Sequence, residues 1–367
     1  MKLNLNFKTM LFAKLEIDET LYVFLHAEQV YRDFSRCDKD LGCFRNDVLE
    51  HSDNDILEHS SYTITESTMR DIYKYIEGNA TPVNIIIDCA EIKNAINIAG
   101  WIKKIIKHCK ENGRNLSFCR MGDTLYGKSR MRERMHEKTL EEQPNDDKTC
   151  NVFISGSKKK NITDTEIFEI YQQEIAKRIK SNYIIERKEG EESYSHSSNV
   201  QLPIYINIKA FIEQKDFSFL GLYLLCKQAI REEFIEYGKH PLLFFSSMAG
   251  AYLASVFSKL ACIDMVFLNH LGPKKKLYRE LHKEQLLADR DYLIISDVVC
   301  LGAEIERAKT LIEHAGGKLK GILSVVYVEV VSERPKTENE IKKVALLTLT
   351  KDYNPIDYQI ITDFPKK

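Results

Sequence analysis

No uninterrupted apolar run in this chain approaches the roughly 18 to 20 residues that a membrane-spanning helix needs. The opening residues, Met1-Lys2-Leu3-Asn4-Leu5-Asn6-Phe7-Lys8, lack the apolar centre of a secretory signal. Both absences point to a cytoplasmic protein with no membrane partner. Charge of one sign is missing too: 53 basic and 54 acidic residues leave a formal net charge of -1, so there is no overall pull toward nucleic acid or a membrane surface. None of the nine cysteines forms a Cys-x-x-Cys pair and the count is odd, which favours reduced core thiols over disulfides or zinc ligands. His108, His240, His270 and His314 are too scattered to suggest a metal cluster. There is no Gly-x-x-x-x-Gly-Lys-Ser/Thr phosphate loop, no His-Glu-x-x-His helix, no Gly-x-Ser-x-Gly elbow and no internal repeat.

What is present is a globular chain of 367 residues, 44% hydrophobic and 29% charged, too long for one ordinary core. Residues 126–138 are basic and 141–147 acidic, which reads as a solvated helix followed by a linker and sets a boundary near residue 148. Lys128, Arg130, Arg132 and Arg134 do not share one helical face, so nucleic acid is not the expected partner. The expected organisation is a smaller α/β domain over 1–148, a parallel-sheet α/β domain over 149–335, and C-terminal strands over 336–367 that complete the sheet or cover a ligand crevice.

The most informative stretch begins at Asp291. Apolar Tyr292-Leu293-Ile294-Ile295 leads into Ser296-Asp297, then Val298-Val299-Cys300-Leu301-Gly302-Ala303-Glu304. A helix follows, with Ile305, Ala308, Leu311 and Ile312 on one face and Gly316-Gly317 as its stop, and then a second apolar run, 321–328. This is strand, ligand loop, helix and parallel strand, and ligands bind at the carboxyl end of the first strand of such a unit. The same pattern occurs upstream: His240-Pro241-Leu242-Leu243-Phe244-Phe245 as a strand, Ser246-Ser247-Met248-Ala249-Gly250-Ala251 as a tight turn, a helix over 252–260, a strand over 262–268, and a loop bearing Lys274, Lys275 and Lys276. Each feature also has a plain structural reading. Serines cap helices, small residues let helices pack closely, lysine runs are solvated, and an aspartate caps a turn.

In this order the segments resemble type I phosphoribosyltransferases of the orotate type, with Leu202-Pro203-Ile204-Tyr205-Ile206-Asn207-Ile208-Lys209 in place of the opening hairpin and a helix over 219–237 after it. The resemblance implies a parallel-sheet phosphoribosyltransferase-like fold. It assigns Asp297 to ribose hydroxyls, as the catalytic carboxylate. Ser246, Ser247, Met248, Ala249 and Gly250 stand at the diphosphate loop, Lys274, Lys275 and Lys276 in the closing loop, and Val298, Val299, Cys300, Leu301, Gly302, Ala303 and Glu304 along the phosphate cradle. Magnesium would accompany a diphosphate ligand. The polar stretch 187–199 stands where the family forms a hood over the base.

The departures from the family pattern have physical content. Cys300, Leu301 and Glu304 supply none of the hydroxyl donors that the family's threonines give. At roughly 5 Å and an effective dielectric of about 20, the Glu304 carboxylate opposes each phosphate charge by about 3 kcal/mol. Only one carboxylate, Asp297, stands where the family has an acidic pair. A helix start lowers a thiol's pKa, so Cys300 is either a reactive thiol or a small apolar filler.

In the first half, Pro82-Val83-Asn84-Ile85-Ile86-Ile87-Asp88 reads as a strand, 95–110 as an amphipathic helix and Leu116-Ser117-Phe118-Cys119 as the next strand. The unit resembles the middle of a STAS domain, a partner-binding module, without the serine that the family phosphorylates. Together the two resemblances imply a phosphoribosyltransferase-like protein with little or no turnover. It would be a sensor or scaffold subunit that binds phosphoribosyl diphosphate or a nucleotide in a bacterial regulatory or defence module. Its N-terminal domain would bind a protein partner, and a homo-oligomer is compatible. The alternative is an active magnesium-dependent transferase acting on a base.

Overall fold

The computed structural model describes residues 12–25, 28–29, 62–92, 94–122, 125, 129, 140–144, 149–154, 163–186, 194–195, 200–202, 204–235, 241–261, 263–267, 286–300, 302–329, 341–349 and 359–360. The chain divides into two compact units, Met1–Ile167 and Phe168–Lys367. Among the described residues no helix is long and apolar enough to cross a membrane.

The first unit is built on a six-stranded sheet. Its elements are β1 (Phe12–Ile17), β2 (Thr20–Leu25), β3 (Glu28–Gln29), β4 (Tyr62–Thr65), α1 (Glu66–Gly78), β5 (Asn84–Asp88), β6 (Asn94–Ile96), α2 (Ala99–Glu111), β7 (Asn115–Gly122), β8 (Leu140–Pro144) and β9 (Thr149–Ile154). The main sheet runs β1-β2-β5-β7-β9-β8, with β2, β5 and β7 parallel and the outer pairs antiparallel. In α2, Ile102, Ile105, Ile106 and Cys109 recur at helical spacing, and in α1 Met69, Ile72 and Ile76 do the same; both stripes bury into one core with Ile85, Ile87 and Phe118.

The helix expected over 95–110 starts later, at Ala99. Ala95 and Ile96 instead pair in parallel with Ile64 and Thr65 of β4, and Asn97 breaks the chain with a left-handed φ of 56°. Asparagine tolerates that conformation and β-branched Ile96 suits a strand, so both local preferences separate strand from helix.

A buried ion pair sits at the carboxyl end of β5. Between Phe118 and Met121 the β7–β9 register slips, so that Cys119 and Arg120 together face Asn151, and Arg120 has a φ of 57°. This β-bulge turns the Arg120 side chain onto Asp88: Nε and Nη2 donate to Oδ1 and Oδ2 at 2.9 and 2.5 Å, and the Arg120 amide donates to Asn151 Oδ1 at 3.0 Å. Asp88 is fully buried and Arg120 nearly so.

The second unit is organised by a five-stranded parallel sheet. Helix α3 (Asp164–Arg178), which enters this unit at Phe168, is opened by a capping box, Thr163 Oγ1 accepting from the Glu166 amide and Glu166 Oε2 from the Thr163 amide. It runs into a π-helical turn, Ile179–Tyr183. There follow β10 (Ile184–Glu186), β11 (Tyr194–Ser195), β12 (Val200–Leu202), β13 (Ile204–Ile206), α4 (Ile208–Glu213), α5 (Lys215–Arg231), β14 (Leu242–Phe245), α6 (Met248–Ala261), β15 (Met265–Phe267), β16 (Asp291–Val299), α7 (Ala303–His314), β17 (Lys318–Val328), β18 (Lys342–Leu349) and β19 (Gln359–Ile360). The main sheet is ordered β15-β14-β16-β17-β18 with every pairing parallel. β10 pairs with β13, and β19 joins β11 and β12 in a small antiparallel sheet.

Alternation along the strands sends Leu242, Phe244, Tyr292 and Ile294 to one core with Ile305, Ala308 and Ile312 of α7. Helix α6 packs on β14, β15 and β16 and against α5, while α5 also meets β17 and β18. Numbered from β14, the strand order is 2-1-3-4-5, a doubly wound arrangement whose direction of winding reverses between β14 and β16.

Candidate functional site: a crevice at the carboxyl edge of the second sheet

In an open α/β sheet the reversal point opens a crevice at the carboxyl ends of the strands, because successive helices leave in opposite directions there. In this sheet that point lies between β14 and β16. The last registered pair between them is Phe244 with Ile294, and β14 ends at Phe245, while β16 continues alongside β17 through Ser296–Ser324, Val298–Val326 and Val299–Tyr327. The final residues of β16 therefore extend past β14, beside the first turn of α6.

Gly250 makes this approach tight. A Cβ added there would lie 3.0 Å from Ser247 Oγ, 3.4 Å from Phe245 Cβ and 3.7 Å from the Ile295 carbonyl oxygen. Ser247 caps the helix, its Oγ accepting from the Gly250 amide at 2.9 Å and its carbonyl from the Ala251 amide at 2.9 Å. The turn expected over 246–251 is thus shorter than its small residues suggest, and α6 starts at Met248 rather than 252. The amides of Gly250 and Ala251 are engaged by this cap, leaving those of Ser247, Met248 and Ala249 as candidate donors on this side.

Across the crevice, β16 ends at Val299, and Gly302 caps α7 with a left-handed φ of 75° and no side-chain hydrogen bond to the helix start. Glycine alone takes this conformation without a Cβ penalty. The first turn of α7 thus keeps its positive end without a side-chain cap, in a 12-residue helix. Glu304 and Glu306 in that turn are exposed to water, which screens their opposition to an anion.

Asp297 is half-buried in β16, two residues short of its end. Its Oδ1 accepts from the Val298 amide at 2.9 Å and lies 3.4 Å from Ser296 Oγ, which is also 3.3 Å from the Val298 carbonyl oxygen. One carboxylate oxygen is therefore tied to the neighbouring main chain.

The sequence-derived set falls into three groups. Ser246, Ser247, Met248, Ala249 and Gly250 form the β14–α6 turn, and Asp297, Val298, Val299, Cys300, Gly302, Ala303 and Glu304 form the β16–α7 passage. The fold brings these two stretches to the same edge of adjacent strands. Lys274, Lys275, Lys276 and Leu301 lie outside the described residues. Val299 belongs to the α7 core. Among the described residues no three histidine, cysteine or acidic side chains group to hold a metal.

One further pair at this edge was missed. Phe245 and Phe267 end β14 and β15, face each other in register, and stack with ring centroids 5.0 Å apart at 25°. Phe245 is buried, whereas Phe267 is 37% exposed. The available signal was an aromatic residue closing each of two successive apolar strands.

No protein-family model and no curated protein matches the chain. Among solved structures it is similar to adenine phosphoribosyltransferase from Thermoanaerobacter pseudethanolicus, at 16% identity and a TM-score of 0.36 over 47% of this chain and 99% of that one. It is also similar to orotate phosphoribosyltransferase from Mycobacterium tuberculosis, at 13% identity and a TM-score of 0.36 over 50% of this chain and 99% of that one. The orotate phosphoribosyltransferase from Aeropyrum pernix matches at 14% identity and a TM-score of 0.35, over 48% of this chain and 93% of that one.

Proposed function

We propose that the second unit binds a phosphorylated ribose compound, phosphoribosyl diphosphate or a nucleotide, in the crevice between β14 and β16, and that it works as a sensor or scaffold with little or no transferase turnover. The observation that carries this reading is the convergence of two helix starts, α6 and α7, on the reversal point of a parallel sheet. Both ends present partial positive charge and main-chain donors, which suits a phosphate. In this reading the amides of Met248 and Ala249 and the first turn of α7 hold phosphate, and the outer oxygen of Asp297 accepts from a ribose hydroxyl.

Low turnover follows from what surrounds those groups. A transferase lowers its barrier by fixing and neutralising the departing diphosphate. Here the α7 side offers Cys300 and Glu304 where hydroxyl donors would be needed, and Asp297 is half-engaged by Val298. On the sequence resemblance of residues 82–119 to part of a partner-binding module, the first unit is assigned to a protein partner.

The test is calorimetric titration of the full chain with magnesium–phosphoribosyl diphosphate, ribose 5-phosphate and nucleoside monophosphates, in the wild type and in Asp297→Asn. Micromolar binding, weakened about tenfold by the substitution, is the expected result for a lost ribose contact at a half-buried carboxylate. Silence across the panel would end the ligand reading, and diphosphate release in the presence of a base would replace it with an active transferase.

A further inference from the structure

We propose that the outward face of α2 is the docking surface for the protein partner assigned to the first unit, and that this partner presents an acidic helix. The proposal rests on that assignment and names the face and the chemistry it selects.

Six residues of α2 are exposed: Gly100, Lys103, Lys104, Lys107, Lys110 and Glu111. Four are lysines and one is acidic. Helices α1 and α7 mix their signs instead, each carrying three carboxylates and two lysine or arginine side chains. On α2 the pairs Lys103–Lys107, Lys104–Lys107 and Lys107–Lys110 stand three or four positions apart, so like charges repel along one face. Lys107 reaches Glu111 at 3.6 Å, but both side chains are well exposed and such a pair is weak. Lys103 and Lys110 have no partner among the described residues.

A lysine-bearing helix face is ordinarily just solvated. Helix stability does not account for this one. Lys110 suits the negative end of the helix, whereas Lys103 and Lys104 lie in its first half and gain nothing from the dipole. An anionic partner would lift the repulsion that the free helix carries.

Charge complementarity selects the occupant. A second copy docked about a two-fold axis would set α2 against α2, lysine against lysine. A nucleic-acid strand would outrun the patch, which spans only about 10 Å from Lys103 to Lys110 at 1.5 Å per residue. Its phosphates would then meet the exposed Glu66, Asp71 and Glu77 of α1, which packs beside α2. The exposed face also holds no arginine, the side chain best shaped for phosphate. A helix with carboxylates at the same three- and four-residue spacing matches the row turn for turn. Half-buried Trp101, with Lys104 Nζ 3.8 Å from its ring centroid, adds an aromatic margin to the contact.

The experiment titrates the full chain with two tryptophan-free helical peptides of about 18 residues and equal composition, one with its glutamates in a single row at that spacing and one with them dispersed. A single-stranded oligodeoxynucleotide of equal charge is the third probe. The readout is emission from Trp101, the chain's only tryptophan. The row peptide should bind the wild type about fivefold more tightly than the dispersed one. Combined Lys103→Gln, Lys107→Gln and Lys110→Gln should weaken it roughly tenfold, from three exposed pairs lost. Glutamine at Lys209, Lys215 and Lys318, exposed lysines of the second unit, should leave binding unchanged. The α2 triple variant should also unfold at an equal or higher urea midpoint, because repulsion is removed; a lower one would make the lysines structural and overturn the proposal. Equal binding of the two peptides, or full binding by the α2 variant, would overturn it as well. Silence with both peptides would end the acidic-helix proposal and leave the partner assignment, which names no face, standing. Tighter binding of the oligonucleotide, lost in the α2 variant, would give the face to nucleic acid and remove both.

Discussion

Removing the carboxylate of the Asp88–Arg120 pair is expected to be among the most damaging single changes in the first unit. Asp88 is 0% exposed and Arg120 8% exposed, so the guanidinium would lose its facing anion in a setting where water cannot replace it. Breaking such a pair from one side costs about 3–5 kcal/mol, because the remaining charge keeps its desolvation penalty. Asp88→Ala also removes the acceptor of the Ala90 amide. Arg120→Gly should cost less, about 2–4 kcal/mol, since glycine relieves roughly 1 kcal/mol of strain at the left-handed backbone. The double substitution should fall well short of the sum of the singles, because both remove one shared interaction.

The assay is urea unfolding followed by tryptophan emission. Trp101, the only tryptophan, sits on α2 against this unit's core with Nε1 donating to Glu66 Oε1 at 3.0 Å, so the signal reports this unit. With an m-value of about 2 kcal/mol/M, Asp88→Ala should lower the midpoint by about 2 M. A loss below about 1 kcal/mol, or strictly additive singles, would refute the reasoning.

Three further outcomes are expected. Burial pushes the Cys109 thiol up to about 12 from its ordinary 9.0. The folded state then holds this proton more tightly than the unfolded state, so stability is full below about pH 9 and falls between about 9 and 12, by up to about 1.4 kcal/mol per pH unit for this group; urea midpoints at pH 8, 9.5 and 10.5 check it. Ser247→Ala removes the cap on α6 and should cost about 0.5–2 kcal/mol in thermal unfolding of the second unit, while Ser247→Asn, a good cap, should recover most of it. Gly302→Ala meets no atom within 4 Å yet should cost about 1–2 kcal/mol, because the penalty lies in its φ of 75° rather than in crowding; full stability in a melting curve would contradict that backbone geometry.

The second sheet was the more legible part of the sequence. Its strands are short apolar runs between clear punctuation, and Ile305, Ala308 and Ile312 declare the helix that separates β16 from β17, so a parallel α/β arrangement could be read directly. Helix starts were less legible. Ser247, Gly250 and Ala251 look like a loop by composition, but a serine cap lets small residues open a helix. Ala95 and Ile96 fit a helical period with the residues after them, which hid the weaker local signals, and it is pairing with β4 that holds them as strand. The Arg120 bulge had no local sign at all. It depends on Asn151, 31 positions away, whose side chain accepts the Arg120 amide. At the crevice, the position of Asp297 on its strand could be read, but the engagement of Oδ1 by the Val298 amide is set by rotamer and backbone angle, which composition does not encode.

The step by which β16 outruns β14 also bears on how this edge can change. β14 is four residues long and β16 nine, so the ledge is a difference in strand length, fixed by pairing register and by the point at which α6 departs. Side-chain identity along the rim does not create it. Substitutions at Cys300 or Glu304 leave the shelf in place, so a mutational library confined to the rim should yield many variants that fold equally well and, on the proposed reading, differ in what they bind.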